Sequence, residues 1–109
     1  MQIFSEQVWH RVKHHVADVY PLEASGIIIT DELGRDDVRY TPRRFSNERA
    51  FLIPPETLLA SRRRGDTFRA FYHSHPNSPP IASVADLLAM RCGAGPSWPG
   101  VDWIIVEVG

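Results

Sequence analysis

The chain has a single cysteine, Cys92, in 109 residues, so no intrachain disulfide can form and the fold has to rest on packing. No base stands beside Cys92 in sequence, which makes it an expected packing residue at a helix end rather than a nucleophile. An excess of one charge is also lacking. Lys and Arg number 12, Asp and Glu 13, for a formal net charge of −1, and this leaves no basic footprint for nucleic acid. The local cluster Arg62-Arg63-Arg64 suits the solvated C-terminal end of a helix, where positive charge meets the macrodipole. No stretch approaches the roughly 20 apolar residues of a membrane span. The opening Met1-Gln2-Ile3-Phe4 leads into charged, periodic sequence rather than the apolar core of a signal peptide, so no membrane association and a cytoplasmic location are the default expectations. No internal repeat or low-complexity tract interrupts the chain.

With 43% hydrophobic and 23% charged residues, the composition is that of an ordinary globular protein, long enough for one domain, residues 1–109, and not for two. From Ser5, the residues Val8, Val12, Val16 and Tyr20 recur at i+4, with Trp9 and Val19 flanking, which predicts an amphipathic helix capped by Ser5 and ended by Pro21. His10, His14 and His15 fall on or beside its polar face, as solvated residues. Gly26-Ile27-Ile28-Ile29-Thr30 is a continuous β-branched run suited to a strand buried on both faces. A polar turn over 31–37, strands at Val38–Thr41 and around Phe51–Ile53, and a helix from Pro54-Pro55 to about Arg64 follow. That helix has Leu58 and Leu59 inward and Gly65 as its stop. A further helix from Ser83 to Cys92-Gly93 and a closing strand over Asp102–Val108 complete an α/β arrangement, one mixed sheet flanked by about three helices.

The chemistry concentrates in Tyr72-His73-Ser74-His75-Pro76. The aromatic run Phe68 to Tyr72 is strand-like, and Pro76 should end that strand. His73 and His75 at i and i+2 then point to one face and Ser74 to the other. Their Cα atoms lie roughly 6.6 Å apart, a span two imidazoles can close onto one ion. After a turn-rich segment, Ser83-Val84-Ala85-Asp86 has the form of a helix start, with Ser83 at the N-cap and Asp86 in the first turn. The short connection allows that turn to fold back beside the histidines, with Asp86 as the third ligand. A His-x-His pair alone is usually two ordinary strand histidines, and Ser-x-x-Asp alone is usually a cap; their conjunction at this spacing points to zinc. Two histidines and one carboxylate leave a fourth position for water, the arrangement of a catalytic rather than a structural zinc.

His73-Ser74-His75-Pro76, six residues, then Ser83-x-x-Asp86 resembles the signature of the JAMM (MPN+) metallopeptidase family. A second block, Pro21-Leu22-Glu23-Ala24-Ser25-Gly26 before the isoleucine run, resembles the context of that family's upstream glutamate. Asn47, Phe51-Leu52-Ile53-Pro54 and the aromatic pair before the histidines also occur in the family's order. The resemblance implies a JAMM/MPN-like α/β fold and one zinc, Zn2+, with a bound catalytic water, held by His73, His75 and Asp86. It further implies Glu23 as general base and Ser83 as oxyanion donor. By position alone, Glu23 would read as an exposed turn residue. Ser83 would carry two tasks, cap and donor.

The substrates implied are amide or isopeptide bonds at the C-terminal tail of ubiquitin-like or sulfur-carrier proteins. The other class to weigh is a non-catalytic scaffold or binding module of the same fold, whose members have lost metal ligands; here Glu23, His73, His75, Ser83 and Asp86 all stand. A zinc deaminase is excluded because its Pro-Cys-x-x-Cys pair is missing. JAMM domains usually continue beyond the last strand, whereas this sequence stops at Gly109. That is compatible with a minimal domain, an excised piece, or one completed through an exposed sheet edge by a partner such as a second copy in a homodimer.

Overall fold

The computed structural model of the chain describes residues 4–42, 53–76, 91–92, 95–96 and 100–108. Helix α1, Glu6–Val19, starts where Ser5 accepts a hydrogen bond from the Val8 amide, and it buries Val8, Val12, Val16 and Val19. The buried stripe therefore ends on Val19 and not on Tyr20, which is 39% exposed. A strict i+4 series drifts about 40° per step on a helix of 3.6 residues per turn, and the closing i+3 step corrects the drift.

Strand β1, Ser25–Thr30, is fully enclosed over Ile27, Ile28 and Ile29, each at 0% exposure. Burial of each isoleucine contributes about 1.5–3 kcal/mol. The turn after it is closed by Asp31, whose carboxylate accepts from the amides of Leu33 and Arg35, with Gly34 at φ 82°. Strand β2, Asp36–Tyr40, then returns antiparallel to β1. Helix α2, Pro55–Arg63, begins with proline, which lacks the amide a first turn would leave unbonded. It stops in a Schellman arrangement: Gly65, at φ +83°, donates to the Arg62 carbonyl and Asp66 to that of Ser61. Arg62, Arg63 and Arg64 are exposed at this end. The inward residue beside Leu58 is Ser61, at 1% exposure, whereas Leu59 is 55% exposed. Ser61 lies three positions on from Leu58 and so shares its face; Leu59 is turned away by about 100°. The Ser61 hydroxyl donates to the Asp66 carboxylate, which also takes two hydrogen bonds from Arg39. The Arg39 bonds hold that carboxyl below its usual range.

Strand β3, Thr67–Pro76, lies antiparallel to β1, and β6, Asp102–Val108, lies parallel to β3. The mixed sheet has the order β2-β1-β3-β6. Two short strands, β4 (Arg91–Cys92) and β5 (Gly95–Pro96), pair with each other. This corrects the expectation of a helix reaching Cys92: residues 91–92 are extended and paired, in a stretch whose glycines Gly93 and Gly95 disfavour helix by about 1 kcal/mol each. The rest of that expected helix lies outside the described residues, so the helices described are α1 and α2. Of the strand expected around Phe51–Ile53, Ile53 lies in no strand, since Pro54 follows it without an amide to continue a ladder, and the remainder is outside the described residues.

The pairing of β1 with β3 skips one residue between Ile28↔Ala70 and Ile29↔Phe68. Arg69 is thus a bulge, and it brings Phe68 and Phe71 to one face despite their odd spacing. One face packs Ile28, Ala70 and Tyr72 under the valines of α1; the other packs Ile27, Ile29, Phe68 and Phe71 with Leu58 and Trp103.

Gly26 is where β1 approaches Tyr72. A Cβ there would meet two carbons of the Tyr72 ring at 2.5 Å. Tyr72 is 1% exposed and its hydroxyl lies 2.7 Å from His15 Nδ1, so the ring has nowhere to swing. Gly26→Ala is expected to destabilise the fold by about 1–3 kcal/mol, as overpacked cores do. Thermal unfolding would read this as a fall of several degrees, and an unchanged midpoint would show that the sheet can open at this point.

Candidate metal centre

His73 and His75 sit on β3 with one residue between them, and the pleat gives them a common face. Their Nε2 atoms are 3.2 Å apart, and the residues are 2% and 8% exposed. Two nitrogens each about 2.0–2.1 Å from a tetrahedral ion lie about 3.3 Å apart. The separation found matches that spacing and is also that of a hydrogen bond between the two rings; a pair of imidazoles is a donor set that suits zinc. Among the described residues no group of three His, Cys, Asp or Glu side chains is close enough to hold a metal. Asp86, the expected third ligand, and Ser83, the expected oxyanion donor, both lie outside the described residues.

Glu23 reaches this place through register. Ser25 is paired with His73, and the Ser74 amide donates to the Ala24 carbonyl at 2.9 Å, which extends the pairing one step. Glu23 is the next residue back along the chain, two before the one paired with His73. Glu23 is 9% exposed, which replaces the exposed turn residue that position alone suggested. A buried acid thus stands just before the start of β1, the strand whose first residue is paired with His73.

The residue match to known families spans nearly the entire chain: the model for prokaryotic homologs of the JAB domain covers residues 5–108. The chain belongs to the prokaryotic JAB-domain homologs. No curated protein matches it. Membership bears out the JAMM/MPN-type resemblance and its α/β fold with one mixed sheet.

Several contacts around the histidine pair were not legible in the sequence. Ser74 turns its hydroxyl back to the Ala24 amide at 2.8 Å. Ser25, opposite His73, donates to the Thr41 hydroxyl at 2.8 Å, and both residues are buried. Glu107 on β6 is paired with His75, which brings an acid level with the histidines through a parallel contact that sequence spacing cannot reveal. His15 is half-buried and not solvated as expected: its ring lies against Tyr40 and Tyr72, and burial lowers its pKa despite Asp18 and the Thr41 backbone. His15 thus supports Tyr72, the residue before the first histidine. Burial likewise raises the Tyr72 hydroxyl well above the usual tyrosine range, so it stays protonated and able to donate.

A cleft of about 490 Å³ along β2 and α2 shares no lining residue with the histidine pair. Its walls mix Arg11, Arg39 and Arg64 with Asp37 and Glu56, and so offer no single charge to a ligand. The histidine pair lies near the end of β3. Among the described residues no helix is long and apolar enough to cross a membrane.

Proposed function

We propose that this chain is a zinc metallopeptidase or isopeptidase that hydrolyses an amide bond at the C-terminal tail of a ubiquitin-like or sulfur-carrier-type protein. The observation that carries the reading is the buried His73–His75 pair, with Nε2 atoms 3.2 Å apart, in a chain of the JAB family that also buries Glu23. His73, His75 and Asp86 would hold the ion. Bound there, zinc supplies Lewis acidity and a nucleophile usable at neutral pH.

The protein's own residues then divide the work. The Glu23 carboxylate accepts the proton of the attacking water and returns it to the nitrogen of the leaving group, a role typically worth about 10²–10⁴ in rate. Ser83, by the family resemblance, donates its hydroxyl to the developing oxyanion. The alternative, a non-catalytic binding module of the same fold, differs in a measurable way, because such a module has no need to hold zinc.

The substrate class follows from how little chain is available to grip a large partner. About twenty residues separate Ile53 from His73, and α2 and β3 account for nearly all of them. Recognition should then fall on an extended tail laid along a sheet edge, with main-chain hydrogen bonds providing affinity and small residues such as Gly-Gly allowing close approach. Zinc-loaded protein is expected to cleave after the C-terminal glycine of a sulfur-carrier-type β-grasp protein extended by a few residues, and to act weakly on a ubiquitin dimer. A clear preference for the ubiquitin dimer would overturn the substrate assignment and leave the zinc chemistry intact. Inactivity on both, without bound zinc, would favour the binding module.

A further inference from the structure

We propose that Ser74, the residue between the two histidines, is a positioning residue that locks the Glu23 segment to the histidine strand. Its importance for turnover rests on the function proposed above; the lock itself does not. In an antiparallel pair, two residues directly opposite each other in the hydrogen-bonded position exchange both amide-to-carbonyl bonds. Between Ala24 and Ser74 one of these is present, the Ser74 amide donating to the Ala24 carbonyl at 2.9 Å. The return bond goes instead from the Ala24 amide to the Ser74 hydroxyl at 2.8 Å. Both residues are at 0% exposure, so water does not compete for either bond.

This arrangement lies at a sensitive position. Strand β1 begins only at Ser25, and the regular pairing with β3 ends at Ser25↔His73. Beyond it, the chain towards Glu23 would leave the sheet were it not for the two bonds at Ala24. The hydroxyl belongs to the residue whose neighbours on either side are His73 and His75, so one side chain ties the proposed base to the histidine pair across 50 residues of sequence. A β-strand alternates faces, so Ser74 does this without entering the face the imidazoles occupy. Alanine at position 74 keeps the strand but leaves the Ala24 amide buried without its acceptor; threonine keeps the hydroxyl. Misplacement of a reacting group by about 1 Å can cost on the order of 10² in rate.

The test compares wild type, Ser74→Ala and Ser74→Thr in two measurements. The first is hydrogen exchange of the Ala24 amide in the metal-free protein, followed by NMR. The expected result is protection in wild type and Ser74→Thr, with exchange at least tenfold faster in Ser74→Ala while the amides of Ile27 to Ile29 stay protected. The second is turnover of the extended sulfur-carrier-type protein by zinc-loaded enzyme: kcat should fall about 10–100-fold in Ser74→Ala with KM nearly unchanged, and recover in Ser74→Thr. An Ala24 amide that exchanges freely in wild type, or equally in all three, would overturn the lock. Faster exchange with undiminished kcat would overturn the positioning role, as would loss of the fold in Ser74→Ala, which would make Ser74 a structural residue. If wild type bound no zinc and turned over nothing, the proposed function and Ser74's part in it would fall together, while the exchange data would still decide the lock.

Discussion

Glu23→Gln is expected to leave fold and zinc content unchanged and to lower turnover by about 10²–10⁴, the range for loss of a general base. At roughly 1.4 kcal/mol per decade this is about 3–5 kcal/mol of barrier. Glutamine has the same shape, so the packing around a side chain that is 9% exposed is preserved. What it lacks is the charged oxygen that takes a proton. The backbone bonds that hold this segment, at Ala24 to Ser74, involve no atom of the Glu23 side chain. The effect should therefore appear in kcat at matched metal content, with the thermal midpoint of the metal-free protein little changed. If the variant kept more than about a tenth of the wild-type rate, Glu23 would not be the base. If it lost zinc as well, its role would be in holding the ion.

Replacing both His73 and His75 by alanine is expected to reduce zinc from one per chain to nearly none, measured by elemental analysis after dialysis. The pair contributes two of the three proposed ligands, and Asp86 alone would be a weak oxygen donor for an ion that favours imidazole. A second observable separates loss of the site from loss of the fold. An ion that binds only the folded chain stabilises it by about 2.7 kcal/mol at a hundred times its dissociation constant, so added zinc should raise the wild-type unfolding temperature and leave that of the double variant unmoved. His73 is 2% exposed and lies between Tyr72 and Ser74 in the sheet, so the metal-free variant will also be less stable than metal-free wild type. Stoichiometric zinc persisting in the double variant would overturn the assignment of the centre.

Local periodicity settles much of this molecule from its sequence. The isoleucine run specified a strand enclosed on both faces, and Ile27, Ile28 and Ile29 are all at 0% exposure. The i, i+2 spacing of His73 and His75 specified a common face, because alternation is a property of any strand whatever its neighbours. Pro55 and Gly65 marked the ends of α2 through the missing amide of one and the positive φ of the other. Each of these signals depends on residues within a few positions of one another. The expectations that failed have different causes: Tyr20 lies just past the end of α1, Leu59 is one residue off the inward face of α2, Cys92 pairs as a short strand, and His15 is covered by Tyr40 and Tyr72 from distant strands.

What only the tertiary structure decided is how distant segments meet. The sequence carries no local mark that Ser25 pairs with His73, that Arg69 bulges so that Phe68 and Phe71 share a face, or that Glu107 comes level with His75. Register is chosen by the sum of contacts along two strands, and a slip of one residue would send Glu23 to the wrong face. The buried hydrogen bonds of Ser74 with Ala24 and Ser25 with Thr41, and the partly buried one of His15 with Tyr72, are set the same way. A polar atom enclosed by packing must find a partner among whatever the fold brings near, and that partner lies 16 to 57 residues away. The residue types of the proposed chemistry were therefore legible along the chain, whereas the pairing that brings the chain next to Glu23 against the histidine strand belongs to the sheet.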